Sequence, residues 1–403
     1  MTTVLPPRTA TTTPAAAPPV ATEEVRRSTA ARGRVDVIVL LGALAAAVSL
    51  AAVIATRVIP DPGPVGFVII AYLLFLVIYG VLVALGDNAL VVRDRIASVV
   101  IHGLAVLALA ALVYVVVYTF WRGREALVQS NFYVSDMRAA GPLEPLNVGG
   151  ILHAAVGTLI ELAIALAITV PLGVACAVYL NEVRGPFPRF VRTIVEAMTA
   201  LPSIVAGLFI YASVILTFGV DKSGFAAGLA LSVMGLPIII RASDVVLRLV
   251  PGSLREASLA MGAGQWRTVW NVVLPTARSG LTTAVLLGAA RMIGETSPVL
   301  ITAGFGSTLN LDPTSGPMVS LPLAAFTFAG SPELTMIARG FGAAAVLLML
   351  VFVLFALARV FGGRPVGELS ARQQRKRAED SRRDAERFAA RHHSHAQGDP
   401  SYA

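Results

Sequence analysis

The sequence predicts an all-α membrane protein, and three observations carry that prediction. Of its 403 residues, 56% are hydrophobic and only 14% charged. The apolar residues fall in long unbroken runs and not at amphipathic spacing. Each run approaches or exceeds the roughly 20 residues that a helix needs to cross the hydrocarbon core, where a helix satisfies its backbone polar groups within the segment.

Eight runs meet this length, near residues 37–56, 65–86, 96–120, 151–180, 193–219, 224–250, 279–303 and 336–360. Residues 1–34, rich in Pro, Thr and Ala, end in Arg26, Arg27, Arg32 and Arg34, and read as a disordered cytoplasmic segment. The first apolar run comes too late and is too long for a secretory signal, so no cleavage is expected.

Eight spans from a cytoplasmic N-terminus return the C-terminus to the cytoplasm, and the basic residues follow that topology. Inner loops carry Arg93 and Arg95, then Arg184, Arg189 and Arg192, then Arg241, Arg248, Arg255 and Arg267, while residues 304–333 hold no Lys or Arg. The outer loop 121–150 dissents with Arg122, Arg124 and Arg138. Its Pro142, Pro145 and Gly149-Gly150 read as an extended external segment. The basic tail at 363–403 reads as a cytoplasmic helix or a disordered end. Its His392, His393 and His395 have no paired carboxylate or Cys, so no metal is assigned to them.

The net charge of +8 does not indicate nucleic-acid binding, because the basic residues flank apolar runs and do not form an aromatic-studded face. Lys222 and Lys376 are the only lysines among 32 basic residues, a compositional bias toward Arg. The single Cys176 excludes a disulfide framework or a thiolate metal cluster within this chain.

The informative stretch lies at 251–280, PGSLREASLAMGAGQWRTVWNVVLPTARSG. Pro251-Gly252 ends one helix, Ser253 is a fair N-cap, and Leu254, Ala257, Leu259 and Met261 give a short helix with small and apolar faces. Gly262 and Gly264 break it. A second helical piece runs through Trp266, Val269, Trp270 and Val273 and is expected to stop at Leu274-Pro275. The product is a short helix lying across the inner face.

This segment resembles the EAA loop of ABC importer permeases, in which Glu-Ala-Ala is followed after three residues by Gly and nine residues later by an aliphatic residue, any residue and Leu-Pro. Glu256, Ala257, Ser258, Gly262, Val272, Leu274 and Pro275 keep every spacing, with Ser258 in place of the second Ala. The resemblance implies that these residues couple the chain to an ATPase subunit, with small residues permitting close approach and Gly262 freeing the turn. An ordinary interfacial helix would not require both glycines and the Leu-Pro at those offsets. The sequence holds no Gly-x-x-x-x-Gly-Lys-[Ser/Thr] loop, so no nucleotide site is expected on this chain.

Four further segments resemble the permeases of phosphate-specific ABC importers, the PstA type in particular. They are Gly149-Gly150-Ile151 leading to Gly157-Thr158-Leu159 and Val170-Pro171-Leu172-Gly173; Leu201 to Phe209; Leu236 to Arg241; and Gly294-Glu295-Thr296-Ser297-Pro298. Ser320-Leu321-Pro322 and Ser331-Pro332 favour that type over its PstC-type paralogue. The resemblance implies a type I ABC importer permease (MetI-like) core of six transmembrane helices at 95–362, carrying the EAA loop, with two extra N-terminal helices at 35–94 whose role it leaves open. It implies a PstC-type permease partner, a PstB-type ATP-binding dimer holding ATP and Mg, a PstS-type periplasmic or lipid-anchored phosphate-binding protein, and residence in the bacterial inner membrane. Other anions, or the PstC-type paralogue, are the alternatives.

The residues themselves point toward an anion. Arg291 and Glu295 stand four apart on one expected helix face deep in an apolar run. An arginine at the bilayer centre costs about 2.5–3.5 kcal/mol on insertion scales, so such a group faces a partner or an aqueous path. Arg291 would serve as transient counter-charge, with Glu295 holding it and weakening over-tight binding. The alternative is a structural ion pair. Glu161 is a lone carboxylate in the fourth run; Glu196, His102 and His153 lie nearer span ends and read as interfacial or core groups. Pro171, Pro202 and Pro237 are expected to interrupt or kink spans around a path. An ion-coupled secondary transporter does not account for the EAA spacing. An intramembrane enzyme would need a metal cluster or a Ser/Lys or Ser/His pair that the spans do not supply.

Overall fold

The computed structural model describes residues 34–58, 62–86, 88–362 and 371–396. Residues 1–33 of the segment expected to be disordered at 1–34, and the tail stretches 363–370 and 397–403, lie outside these, while Arg34 begins the first helix. The described residues hold helices and connecting loops, with no strand among them. In order they are α1 (Arg34–Arg57), α2 (Gly63–Ala84), α3 (Ala89–Leu127), α4 (Asn131–Val134), α5 (Leu152–Glu182), α6 (Pro186–Thr199), α7 (Ser203–Ile210), α8 (Gly224–Arg248), α9 (Gly252–Ala260), α10 (Gln265–Thr268), α11 (Leu274–Ile293), α12 (Ser297–Thr302), α13 (Leu321–Ala329), α14 (Leu334–Gly362) and α15 (Ala371–Ala396). Tyr211–Thr217 continues α7 and Val269–Val273 joins α10 to α11, both as π-helix.

Among the described residues, seven helices are long and apolar enough to cross a membrane, and an eighth crossing exists only if the bent pair Pro186–Thr199 and Ser203–Thr217 is one span. The run at 193–219, expected as one span that Pro202 interrupts or kinks, is broken there: the chain turns by 105° between those helices. The cause is local. Pro202 has no amide hydrogen and disfavours helical backbone at Leu201. α6 before it has three distinct faces: Pro188 and Val195 buried, Phe187, Phe190 and Ile194 exposed, Arg189 and Glu196 polar. Pro171 and Pro237, expected to interrupt their spans as well, lie inside α5 and α8, which continue through them.

The described residues form two compact units, divided between Ala111 and Leu112 within α3. In the first, Ala43, Ala47 and Ala51 repeat every fourth residue along one stripe of α1 and are fully buried. Ala43 and Ala47 share a cluster with Phe75, Tyr79 and Val83, which repeat the same way on α2. Small residues facing large ones let two helices approach closely without a hydrophobic drive from water. Asp36 and Arg95 close the unit with a 2.6 Å ion pair between α1 and α3.

In the second unit α5 and α8 form the central pair, again through small residues. A side chain at Gly173 would meet Ile239, and one at Gly228 would meet Ile164. The stretch 304–333, read as an outer loop without Lys or Arg, contains α13, which folds inward with Leu321, Leu323 and Ala324 fully buried. Nine residues are too few to span but enough to fill the bundle beside α5 and α14. Leu321 donates its amide to Thr158 Oγ1 at 2.7 Å, fixing the start of α13 against α5. Arg122 and Arg124 belong to the end of α3 and not to a loop, and Arg124 lies over the Trp121 ring at 4.2 Å. Nothing before Leu127 stops that helix, and the long arginine stems reach past apolar surface. α15 covers part of the tail; the side chains at 387–396, including the three histidines, lie outside the described ones.

Candidate functional site

The 251–280 segment folds as a short helix followed by a re-entry into the bundle. α9 starts directly after Pro251, whose extended ψ of 132° turns the chain out of α8, so the expected Ser253 cap does not form. Its carboxyl end closes through Met261 N–H on Ala257 O and Gly262 N–H on Leu259 O. Gly262 has φ +82°, a left-handed conformation that only a residue without Cβ adopts freely. Gly264, extended, then starts α10.

The second helical piece does not stop at Leu274-Pro275. It runs through the π-helical stretch into α11, giving a continuous helix over Gln265–Ile293. A proline ring normally collides with the carbonyl four residues earlier. The wider π turn immediately before Pro275 changes that register and lets the helix continue. Val269, Val273 and Ala277 pack on Ala177 and Val178 of α5 and on Leu247 and Val250, with Leu274 against the same cluster.

The structure divides the EAA-type residues between two faces. Glu256 and Ala257 are exposed on α9, with Leu259, Ala260 and Met261 beside them. Ser258 turns the other way, its hydroxyl 2.9 Å from that of the buried Thr268. Gly262 makes the turn, Val272 and Leu274 are half-buried, and Pro275 is exposed in the first turn of α11. Trp266 and Trp270 add exposed aromatic surface to the same segment.

Several residues that anchor this segment escaped sequence reasoning as a set. Arg255 Nε pairs with Glu182 Oε1 at 3.2 Å and its Nη2 donates to Leu247 O at 3.0 Å. Gln265 Nε2 donates to Glu182 O at 3.1 Å. Asp244 accepts Arg192 at 3.2 Å and Arg248 at 2.9 Å on one carboxylate oxygen, and Asn181 at 3.3 Å on the other. Asp244 carried a usable signal, an acid within an apolar run, while its partners lie far away in sequence.

Arg291 and Glu295 form a 3.0 Å ion pair. Their expected placement on one continuous, buried helix face is corrected. α11 ends at Ile293, Gly294 caps it, and the chain restarts at α12, so Glu295 sits in the break. The arginine side chain is 60% exposed and the glutamate only 10%. A carboxylate rooted in the fold therefore holds a guanidinium that projects outward from a membrane-length helix. Glu161 is 1% exposed, and its Oε1 has no hydrogen-bond partner. His153 is also buried, with both ring nitrogens unpartnered. His102 is exposed and bonds Ser98 O at 2.7 Å.

Residues 169–364 match the family described as binding-protein-dependent transport system inner membrane component. The phosphate transport system permease protein PstA of Mycobacterium leprae (strain TN) is 38% identical over 261 residues, covering 64% of this chain and 85% of that protein. The phosphate transport system permease protein PstA of Yersinia pestis is 32% identical over 270 residues, 66% of this chain and 89% of that one. Among solved structures, an inward-facing MetNI methionine ABC transporter aligns with a TM-score of 0.42 at 21% identity, over 53% of this chain and 93% of that chain. The chain, a multi-pass membrane protein, belongs to the binding-protein-dependent transport system inner membrane component family, among its PstA-type permease proteins.

Proposed function

We propose that this chain forms half of the transmembrane path for inorganic phosphate in an ABC importer, driven by ATP hydrolysis on a partner subunit. The carrying observation is α9: a nine-residue helix that exposes Glu256, Ala257 and Ala260 while its other face is tied to the bundle by Arg255 and Ser258. Such a helix is a rigid body that a soluble ATPase can grip and displace. ATP and Mg reside on that partner, a PstB-type dimer. A PstC-type permease completes the path, and a PstS-type binding protein delivers the anion from outside. Both termini are cytoplasmic in this reading, which places α9 on the ATPase side.

The cargo is read from relatives named for phosphate transport and from Arg291. An exposed arginine on a membrane-length helix needs a partner or an aqueous route. Glu295 holds it in place while leaving donors free for an oxyanion. Arg291→Gln keeps a polar, shorter side chain and removes the charge. In a strain deleted for the chromosomal copy, the wild-type chain restores radiolabelled phosphate uptake and Arg291→Gln abolishes most of it. Undiminished uptake with Arg291→Gln returns the pair to a structural role. No phosphate uptake by the wild type, with the ATPase still co-purifying, moves the cargo to another anion.

A further inference from the structure

None of the nine residues of α9 is buried. A helix this short is not stable by itself, so its place on the bundle depends on its polar links. Arg255 and Ser258, three residues apart on one face, supply them. The links from Arg255 end on two spans, at Glu182 in α5 and at the Leu247 carbonyl in α8.

The last three residues of α5 each hold a different element. The Leu180 carbonyl accepts Arg192 of α6 at 3.4 Å. Asn181 donates to both the side chain and the carbonyl of Asp244 in α8 at 3.3 Å. Glu182 binds Arg255 of α9 by its carboxylate and Gln265 of α10 by its carbonyl. The final carbonyls of a helix have no intrahelical partner and carry its negative end, so α5 offers free acceptors where the loop's donors converge. Asp244 closes the ring by pairing with Arg192.

We infer that this terminal turn of α5 is the junction through which displacement of α9 reaches the membrane spans, with Glu182 and Asp244 as positioning residues. The inference rests on the reading of α9 as the helix that the ATPase grips. A push on α9 passes through Arg255 to α5 and α8 together, and Asp244 with Arg192 carries α6 along. The π-helical entry to α11 offers a second, softer route, because its contacts with α5 and Leu247 are apolar and non-directional. Rigid transmission therefore falls to the ion pairs.

The test uses the whole transporter reconstituted in proteoliposomes with inorganic phosphate as cargo, reading phosphate moved per ATP hydrolysed. Glu182→Gln and Asp244→Asn keep side-chain length, Arg255→Gln removes the charge with a shorter polar side chain, and retention of the ATPase checks assembly. Each variant is expected to keep the ATPase and its hydrolysis while phosphate per ATP falls by about two- to thirtyfold. The reciprocal exchange of Glu182→Arg with Arg255→Glu is expected to recover a large part of that loss. Unchanged phosphate per ATP in the single variants overturns the inference, as does a loss that the exchange does not recover. Release of the ATPase from the Glu182→Gln complex also overturns it, since the pair would then only shape the docking helix. The docking reading fails separately, if Glu256→Arg and Met261→Asp leave ATPase retention untouched.

Discussion

Arg339, fully buried near the start of α14, directs its Nη2 to the carbonyl oxygen of Val148 at 2.9 Å. The same nitrogen donates to Pro145 O at 2.8 Å and to Glu144 O at 3.1 Å. One guanidinium thus organises the segment before α5, where Asn131 holds Leu146 O and Gly149 O from the other side. Replacement by Met fills the space but leaves three carbonyls without this donor. Hydrogen bonds to charged groups contribute about 1.5–3 kcal/mol each, and the loss is shared among neighbours, so Arg339→Met is expected to cost about 3 kcal/mol. Thermal unfolding of the detergent-solubilised chain measures it, with a markedly lower Tm expected. An unchanged Tm contradicts the assignment.

Gly262 gives a prediction that concerns backbone alone. A Cβ there meets nothing within 4 Å, yet φ is +82°. Gly262→Ala should therefore destabilise the turn by about 1–2 kcal/mol through conformation and not through collision, with Gly262→Asn less affected. Faster amide hydrogen exchange across 258–268 is the expected readout. The Ala263 amide, bonded to Ser258 O at 3.2 Å, is the natural reporter. Equal exchange in the Ala and Gly proteins contradicts the turn described.

Acid should loosen the segment before α5 through Asp136. The Leu309 amide, donating at 3.1 Å, and then the Arg138 amide and charge hold this carboxyl below the ordinary aspartate range. A depressed folded-state value means that the stabilisation is complete above the unfolded value of about 3.9. It is lost as pH falls from there through the folded value. Asp136→Asn should remove this part of the acid sensitivity. Limited proteolysis at 136–150 and 305–317 against pH is the measurement, and identical pH profiles for the two proteins would sink the idea.

The candidate site was legible in pattern but not in orientation. The spacing from Glu256 to Pro275 located the short helix, and Gly262 located its turn. Which way Ser258 faced was not readable, because its partner Thr268 lies beyond the turn and a small residue fits either face. Arg291 and Glu295 were found together by the cost of charge in an apolar run. That Gly294 ends the helix between them was missed, since a run of apolar residues does not reveal a break within it. Arg339 obeyed the same rule and passed unnoticed, its acceptors being backbone carbonyls nearly two hundred residues earlier.

By itself the sequence determined that this chain is helical and membrane-spanning, because run length and backbone satisfaction in lipid leave no other choice for such segments. It also determined where the short helix α9 lies, through fixed offsets of small residues, glycine and proline. Pro202 marked a break in the run at 193–219, but only the tertiary structure decided that the turn there is 105°, that Pro275 continues a helix and that α13 folds inward. It alone decided that Glu182, Asp244, Arg192 and Arg255 meet. Those outcomes depend on contacts between distant residues, and local periodicity carries no record of them.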